Sequence, residues 1–285
     1  MNRLAGIGAI LLGFETVESM KAPIVRAHHI MHPMNAKDAR KRNIRDLSYL
    51  KRKDGYQLAE GFFFRSGRLR KFSRKGVKEL KAANLRTVID LRTEGENIKK
   101  PDKLWDGLEY HLIPLVKSET LGITHERGLK AYKKPPVMTE LYANIIADET
   151  SISALREVFT ILFDPKREGA VLWHCTAGKD RCGIVSAIFL LALGYAEESV
   201  FEDYLLSDAE SEKKGRLYRF LVRYLLWKKE LAEGVYEAMR ARREYLASAL
   251  ATLRELYGSV HDFLLIKVGI TQEQINLFLD RYKKA

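Results

Sequence analysis

One segment constrains this chain more than any other. Ala170-Val-Leu-Trp-His-Cys175 is a short apolar run, Thr176 to Gly183 is a polar loop, and Ile184 to Leu193 is apolar nearly all round. A stretch apolar on every face must be a buried helix, and the run before it reads as a buried strand. Gly194 supplies the helix stop. The chain must therefore place a strand and a helix inside the molecule and join them by a short polar turn. Within that turn Cys175 and Arg181 stand six positions apart, with Ala177 and Gly178 between them. Small residues at this spacing allow a tight loop whose backbone amides converge on one point, a nest for an anion. The helix, expected to begin near Gly183, adds its positive end there. A Cys175 thiol so placed is expected to ionise early and to be nucleophilic at neutral pH. Arg181 can hold two oxygens of a phosphoryl group in a bidentate pair.

The flanking pattern alternates. Strands are expected at Gly61 to Arg65, Arg86 to Arg92 and Leu108 to Leu115. Helices are expected from a Ser73 cap to Ala83 with Asn84 as terminator, over Thr139 to Ala147, and over Ser151 to Phe163. From Glu197 onward the sequence reads as helix, and Thr271-Gln-Glu-Gln274 is a capping box. This order predicts an α/β fold, a central and mostly parallel sheet flanked by helices, with a helical C-terminal third. No repeat or low-complexity linker interrupts it, so residues 36–285 form one expected catalytic domain after an extension at 1–35. Residues 36–53, dense in charge, read as a lead-in laid over the surface.

Charge narrows the partners. Lys plus Arg number 49 against 37 Asp plus Glu, a net +12. That excess favours phosphorylated substrates or an anionic membrane surface; nucleic acid finds no motif beyond charge. With only two cysteines, Cys175 and Cys182, a disulfide framework or a cysteine zinc site is not expected, and neither a metal nor a cofactor is. The adjacent His28 and His29 read as loop or surface residues. At the N-terminus Met1-Asn-Arg3 precedes the apolar run Leu4 to Phe14, too short to span a bilayer. It reads as a packed N-terminal element of a cytoplasmic protein. A signal peptide of an exported, periplasmic one is the alternative, against which Glu15 and Glu18 speak.

Loops carrying a cysteine under an anion also serve rhodanese-like sulfur transfer and arsenate reduction, and a non-catalytic phosphate-binding module is a further reading. Lys179, Asp180 and Gly178 look more like a phosphatase. His174-Cys-Thr-Ala-Gly-Lys-Asp-Arg181 resembles the HCxAGKDRTG loop of the atypical bacterial tyrosine phosphatases, a dual- or triple-specificity family also active on phosphoinositides. Asn43-Ile-Arg-Asp-Leu47, Phe64-Arg-Ser-Gly67, Val88-Ile-Asp-Leu-Arg92 with Glu96, and Asp203-Tyr-Leu-Leu-Ser207 resemble further motifs of that family in the same order. Glu244-Tyr-Leu246, Tyr257-Gly-Ser259 and Val268-Gly-Ile270 do so near the C-terminus. The likeness spans about residues 43 to 283.

The resemblance implies a phosphotyrosine-phosphatase-like fold and a metal-independent reaction through a phosphocysteine. Cys175 is then the nucleophile, and Thr176, Ala177, Gly178, Lys179, Asp180 and Arg181 hold the phosphoryl group. His174, Cys182 and Arg65 support the loop. Two carboxylates compete as general acid. Asp90, at a strand end, is favoured, unless it is a structural partner of Arg92 or Arg65; Asp180 then steers substrate. Lys179 is expected to face a substrate phosphate or a neighbouring inositol phosphate, or else to be a plain surface lysine.

Two departures from the family pattern stand out. Ser48-Tyr49 replaces a Gly-Gly pair, so any turn there must avoid positive φ. Cys182 replaces a threonine, a weaker donor to the Cys175 thiolate but a second sulfur that could trap an oxidised Cys175 as a reversible disulfide. Of the basic run Arg65, Arg68, Arg70, Lys71, Arg74, Lys75 and Lys78, most are expected to face solvent, with Arg65 or Arg68 reaching the site. Leu217, Phe220, Leu221, Tyr224 and Leu225 follow helical spacing among arginines. Core packing is the simple expectation for them. The region about 208–240 otherwise reads as a helical lid or a membrane-surface helix.

Overall fold

The computed structural model describes residues 36–116, 137–225 and 229–284. Helix α1 (Ala36–Arg42) leads to the short strand β1 (Arg45–Asp46), then β2 (Phe63–Gly67), α2 (Arg74–Ala82), β3 (Leu85–Asp90), α3 (Glu94–Lys99) and β4 (Glu109–Leu112). Helices α4 (Met138–Ala147) and α5 (Glu149–Leu162) precede β5 (Ala170–Cys175) and α6 (Asp180–Ala192). The rest is helical: α7 (Glu197–Leu205), α8 (Asp208–Leu225), α9 (Lys229–Met239), α10 (Arg243–Tyr257), α11 (Val260–Phe263) and α12 (Gln272–Arg281). The His28–His29 pair and the N-terminal apolar run lie outside the described residues.

The five strands are ordered β1-β2-β5-β3-β4. β2, β5, β3 and β4 run parallel, and only β1 at the edge is antiparallel. β5 is buried on both faces, as its unbroken apolar run requires. Its side chains alternate between two cores: Val171 and Trp173 join the large cluster with α4 to α6 and the C-terminal helices, while Ala170 and Leu172 face Leu80 of α2, Leu85 and Val88. In register, Gly67 of β2 pairs with Cys175, and Asp90 of β3 pairs with His174. Three strands thus end side by side at their carboxyl ends, where parallel sheets place their sites.

α6 is anchored where the sequence demanded burial. Phe189 packs on Trp173 with centroids 5.6 Å apart, on Phe63 at 5.3 Å and on Phe278 at 5.7 Å. Trp173 donates its indole N–H to Ser186 Oγ at 3.0 Å. The helix begins at Asp180 rather than near Gly183, so Arg181 and Cys182 belong to its first turn.

Residues 36–53 are not a surface lead-in. Asp38, Ala39, Ile44, Arg45 and Asp46 are buried; Asp38 accepts from Ser73, 35 positions on, and Arg45 pairs with Asp203, 158 positions on. Arg45 forks on Asp203 (2.6 Å from Nε to Oδ1), and the Asp203 carboxylate also accepts from Arg65 and, at 2.8 Å, from the Tyr49 hydroxyl. Ser48-Tyr49 form a turn of 3-10 helix with no positive φ, flanked by Asp46 at φ −82° and Leu50 at φ −75°. Tyr49 makes a contact to Asp203 that glycine cannot make.

The α8–α9 pair does not give its apolar stripe to the main core. Val222 packs with Leu231, Ala232 and Val235 in a small cluster of its own, whereas Leu217, Phe220 and Tyr224 are more than half exposed, at 57–58%.

Removing one partner of a buried ion pair leaves the other charges stranded. Asp203→Ala is therefore expected to cost about 3–5 kcal/mol, read as a lower urea midpoint. Burial opposes the Asp203 carboxylate, yet Arg45 and Arg65 hold its pKa down to about 2 from 3.8. Its contribution should be full above pH 4 and be lost as the pH falls toward 2.

Candidate active site

The loop from Cys175 to Asp180 is shaped from below. Gly178 adopts φ +71°, and a Cβ there would lie 2.6 Å from the Gly67 nitrogen and the Ser66 carbonyl carbon, so only glycine fits. Its carbonyl accepts from Arg65 and from the Asn43 amide, both at 2.9 Å, and Arg65 reaches the Lys179 carbonyl at 3.3 Å. With the carbonyls held on the underside, the Gly178 N–H turns to the Cys175 sulfur, 3.2 Å away. Arg65, fully buried, thus holds two carbonyls of the loop.

Burial opposes ionisation of Cys175, which is 2% exposed. The neighbouring Cys182 and the charge of Arg181 outweigh that penalty and bring the Cys175 pKa down to about 5. Cys175 is a thiolate at neutral pH. Arg181 is held by Glu96 in a two-pronged pair, 2.6 Å from Nη1 to Oε2 and 3.0 Å from Nη2 to Oε1, and donates to the Leu91 carbonyl at 3.2 Å. Glu96 is itself fixed by the Thr93 capping box and accepts from the Thr176 hydroxyl at 2.5 Å. Despite burial, the Arg181 charge lowers its pKa to about 2. The guanidinium is thus aimed before any ligand arrives.

The two candidate acids differ. Asp90 is buried and pinned: Arg92 approaches its oxygens at 2.6–3.0 Å, the Tyr110 hydroxyl donates at 2.6 Å and Asn97 at 3.1 Å. Burial works against the carboxylate, but His174 and Arg92 hold its pKa far below the usual range. These contacts are those of the other reading given for this residue, a structural partner of Arg92. Asp180, 29% exposed at the start of α6, accepts from the Tyr142 hydroxyl at 2.6 Å and lies 3.3 Å from Lys179.

Lys179 faces neither a ligand position nor solvent. Its ammonium donates at 2.9 Å to the carbonyls of Ala238 and Arg240, just where α9 ends. Both earlier expectations for it are replaced by this one: it ties the loop to the α8–α9 pair, satisfying carbonyls that a helix end leaves open. His174 is buried against Asp90 at 3.7 Å and Asp102 at 3.2 Å. Those three groups have metal-ligand spacing, but both carboxylates are already paired with Arg92.

Reading the sequence gave no role to Glu96, Asn43, Arg45, Tyr142 or Asp203. For Glu96 a signal existed: Thr93-Glu-Gly-Glu96 has capping-box spacing.

Comparison with known proteins agrees with this geometry. The model of the tyrosine phosphatase family matches residues 39–284. The chain is 29% identical to the triple specificity protein phosphatase PtpB of Mycobacterium tuberculosis over 254 residues, 77% of this chain and 90% of that protein. It is 25% identical to a tyrosine-protein phosphatase of Nostoc commune over 227 residues, 78% of this chain and 74% of the relative. Neither match favours a sulfurtransferase or a non-catalytic binding module. A loop that sets the Gly178 amide and the Arg181 guanidinium about a buried cysteine therefore comes with a match over most of the sequence: the chain belongs to the tyrosine phosphatase family and is a cysteine-based phosphatase.

Proposed function

We propose that the chain hydrolyses phosphotyrosine, and also phosphoserine, phosphothreonine and phosphoinositide monoesters, through a phosphocysteine at Cys175. The observation that carries this is the Cys175 sulfur held ionised by the Gly178 amide, the Cys182 thiol and Arg181, which Glu96 keeps in place. In the first step the thiolate attacks phosphorus as the ester P–O bond breaks. Arg181 and the loop amides take up the charge spread over the equatorial oxygens. Asp180, the open carboxylate of the two, protonates the leaving oxygen. It then takes a proton from the water that breaks the S–P bond, which returns the thiolate and frees phosphate.

Charge supports a substrate with more than one phosphate. Arg68, half-buried at the end of β2, is less basic than usual because of burial and because Arg42, Arg92 and Arg70 crowd it. Lys100 is lowered in the same way by burial, Arg68 and Arg70. A second anionic group on the substrate would relieve that repulsion. PtpB carries triple specificity in its name, which fits protein and lipid substrates alike.

Alkylation of Cys175 by iodoacetamide should titrate with a midpoint near the pKa of about 5; a midpoint in the range of free cysteine, about 8.5, would refute the thiolate assignment. Asp180→Asn should lower kcat for p-nitrophenyl phosphate by about 10²- to 10⁴-fold and remove the basic limb of the pH profile. Asp90→Asn should keep that limb; an intact basic limb in Asp180→Asn would return the acid role to another group. Arg68→Gln should raise KM for a bisphosphorylated inositide by roughly tenfold, about one charge-assisted contact, and leave KM for p-nitrophenyl phosphate unchanged.

A further inference from the structure

We propose that Cys182 is a resolving thiol: after a hydroperoxide has oxidised Cys175 to a sulfenic acid, Cys182 closes a Cys175–Cys182 disulfide that a thiol reductant reopens. This rests on the reading of Cys175 as the reactive thiolate. The two residues are the only cysteines of the chain, and both are buried. The Cys182 sulfur lies 3.5 Å from the Ser66 carbonyl and 3.9 Å from the Trp173 carbonyl. Ser66 precedes Gly67, the cross-strand partner of Cys175, and Trp173 lies two residues before Cys175 on β5. The second sulfur is therefore packed against the backbone next to the first, between the strand that ends at Cys175 and the strand paired with it.

The chemistry balances with the peroxide as the only added reagent. The Cys175 thiolate attacks a peroxide oxygen, the O–O bond breaks, and the departing oxygen takes a proton and leaves as water or an alcohol. Sulfur is oxidised and peroxide reduced. The Cys182 sulfur then attacks the Cys175 sulfur, the S–O bond breaks, and the hydroxide leaves as water with the proton of Cys182. The charges around Cys182 favour this order. In the resting site burial, reinforced by the Cys175 thiolate, keeps Cys182 protonated, while Arg65 and Arg181 pull the other way. Oxidation removes the negative charge on Cys175 and leaves both guanidiniums in place. Cys182 thus becomes easier to ionise at the moment it must act as a nucleophile. A threonine hydroxyl, which stands here in the family loop this sequence resembles, is a stronger donor to the thiolate but could not close that bond.

The test is peptide mapping of the whole chain after dilute hydrogen peroxide and an N-ethylmaleimide quench. Trypsin cuts after Lys179 and Arg181, so the two sulfurs fall on separate peptides. The expected product is a linked pair of peptides two hydrogens lighter than the reduced pair, abolished by dithiothreitol together with return of p-nitrophenyl phosphate turnover. Cys182→Ser, which keeps a donor beside the thiolate, is expected to recover about tenfold less of its own untreated rate and to accumulate sulfinic and sulfonic Cys175. An oxidised Cys175 beside a Cys182 that still takes up N-ethylmaleimide would overturn the proposal. That includes a sulfur–nitrogen ring on a neighbouring amide, which has the same mass loss. Equal recovery in Cys182→Ser would overturn it too. Iodoacetamide labelling of unoxidised Cys175 at pH 6 reports the thiolate separately, so a failed cross-link leaves the phosphatase reading standing.

Discussion

Everything at the site depends on how the carbonyls of one short loop are occupied. A loop can present several N–H groups to an anion only if its carbonyls are satisfied elsewhere, since a buried unpaired carbonyl costs about as much as a lost hydrogen bond. Here Arg65 and Asn43 take the Gly178 carbonyl, and Arg65 takes that of Lys179. Two buried guanidiniums, Arg65 and Arg45, then need a counter-charge, which Asp203 of α7 provides. These contacts join segments from three distant parts of the chain under the loop. Buried ion pairs of this kind add little net stability; what they fix is geometry.

The same economy governs the upper side of the loop. Glu96 neutralises Arg181 and receives the Thr176 hydroxyl, so the cup is charge-balanced before a phosphoryl group enters. Arg92 does the corresponding duty for Asp90 and Asp102. The net +12 of the chain therefore is not the charge of the catalytic floor, where each of these arginines has a carboxylate of its own. The uncompensated excess lies farther out, around Arg68 and Lys100.

Local pattern was enough to read the skeleton. The β5 run came out at its full length, the α2 cap at Ser73 and its stop before Asn84 (φ 53°) were right, and the buried character of α6 followed from its composition. The thiolate and the arginine were legible because they lie on one short loop. What misled was charge. Residues 36–53 looked like surface because charged residues usually are, and only a fold shows that Arg45 meets a carboxylate 158 positions away. Lys179 failed likewise, its partners being backbone carbonyls that no side-chain pattern encodes. Asp90 was favoured from its strand-end position, which says nothing about the Arg92, Tyr110 and Asn97 contacts that hold it ionised.

Thiolate, second thiol, guanidinium and the open carboxylate lie within eight consecutive residues, Cys175 to Cys182. All but the first stand in the opening turn of one helix, and that helix is clamped by Trp173, Phe63 and Phe278 around Phe189. Fixed distances among reacting groups come here from core packing rather than from mobile segments, the arrangement that holds donors in place without reorganisation during reaction. A helix so anchored has little freedom to re-aim Asp180 relative to Arg181. Differences in substrate preference must then arise around the rim, in the Arg68 cluster and in the α8–α9 pair that Lys179 ties to the loop. The floor of the site sets the reaction, and the charge and shape of the rim select what reaches it.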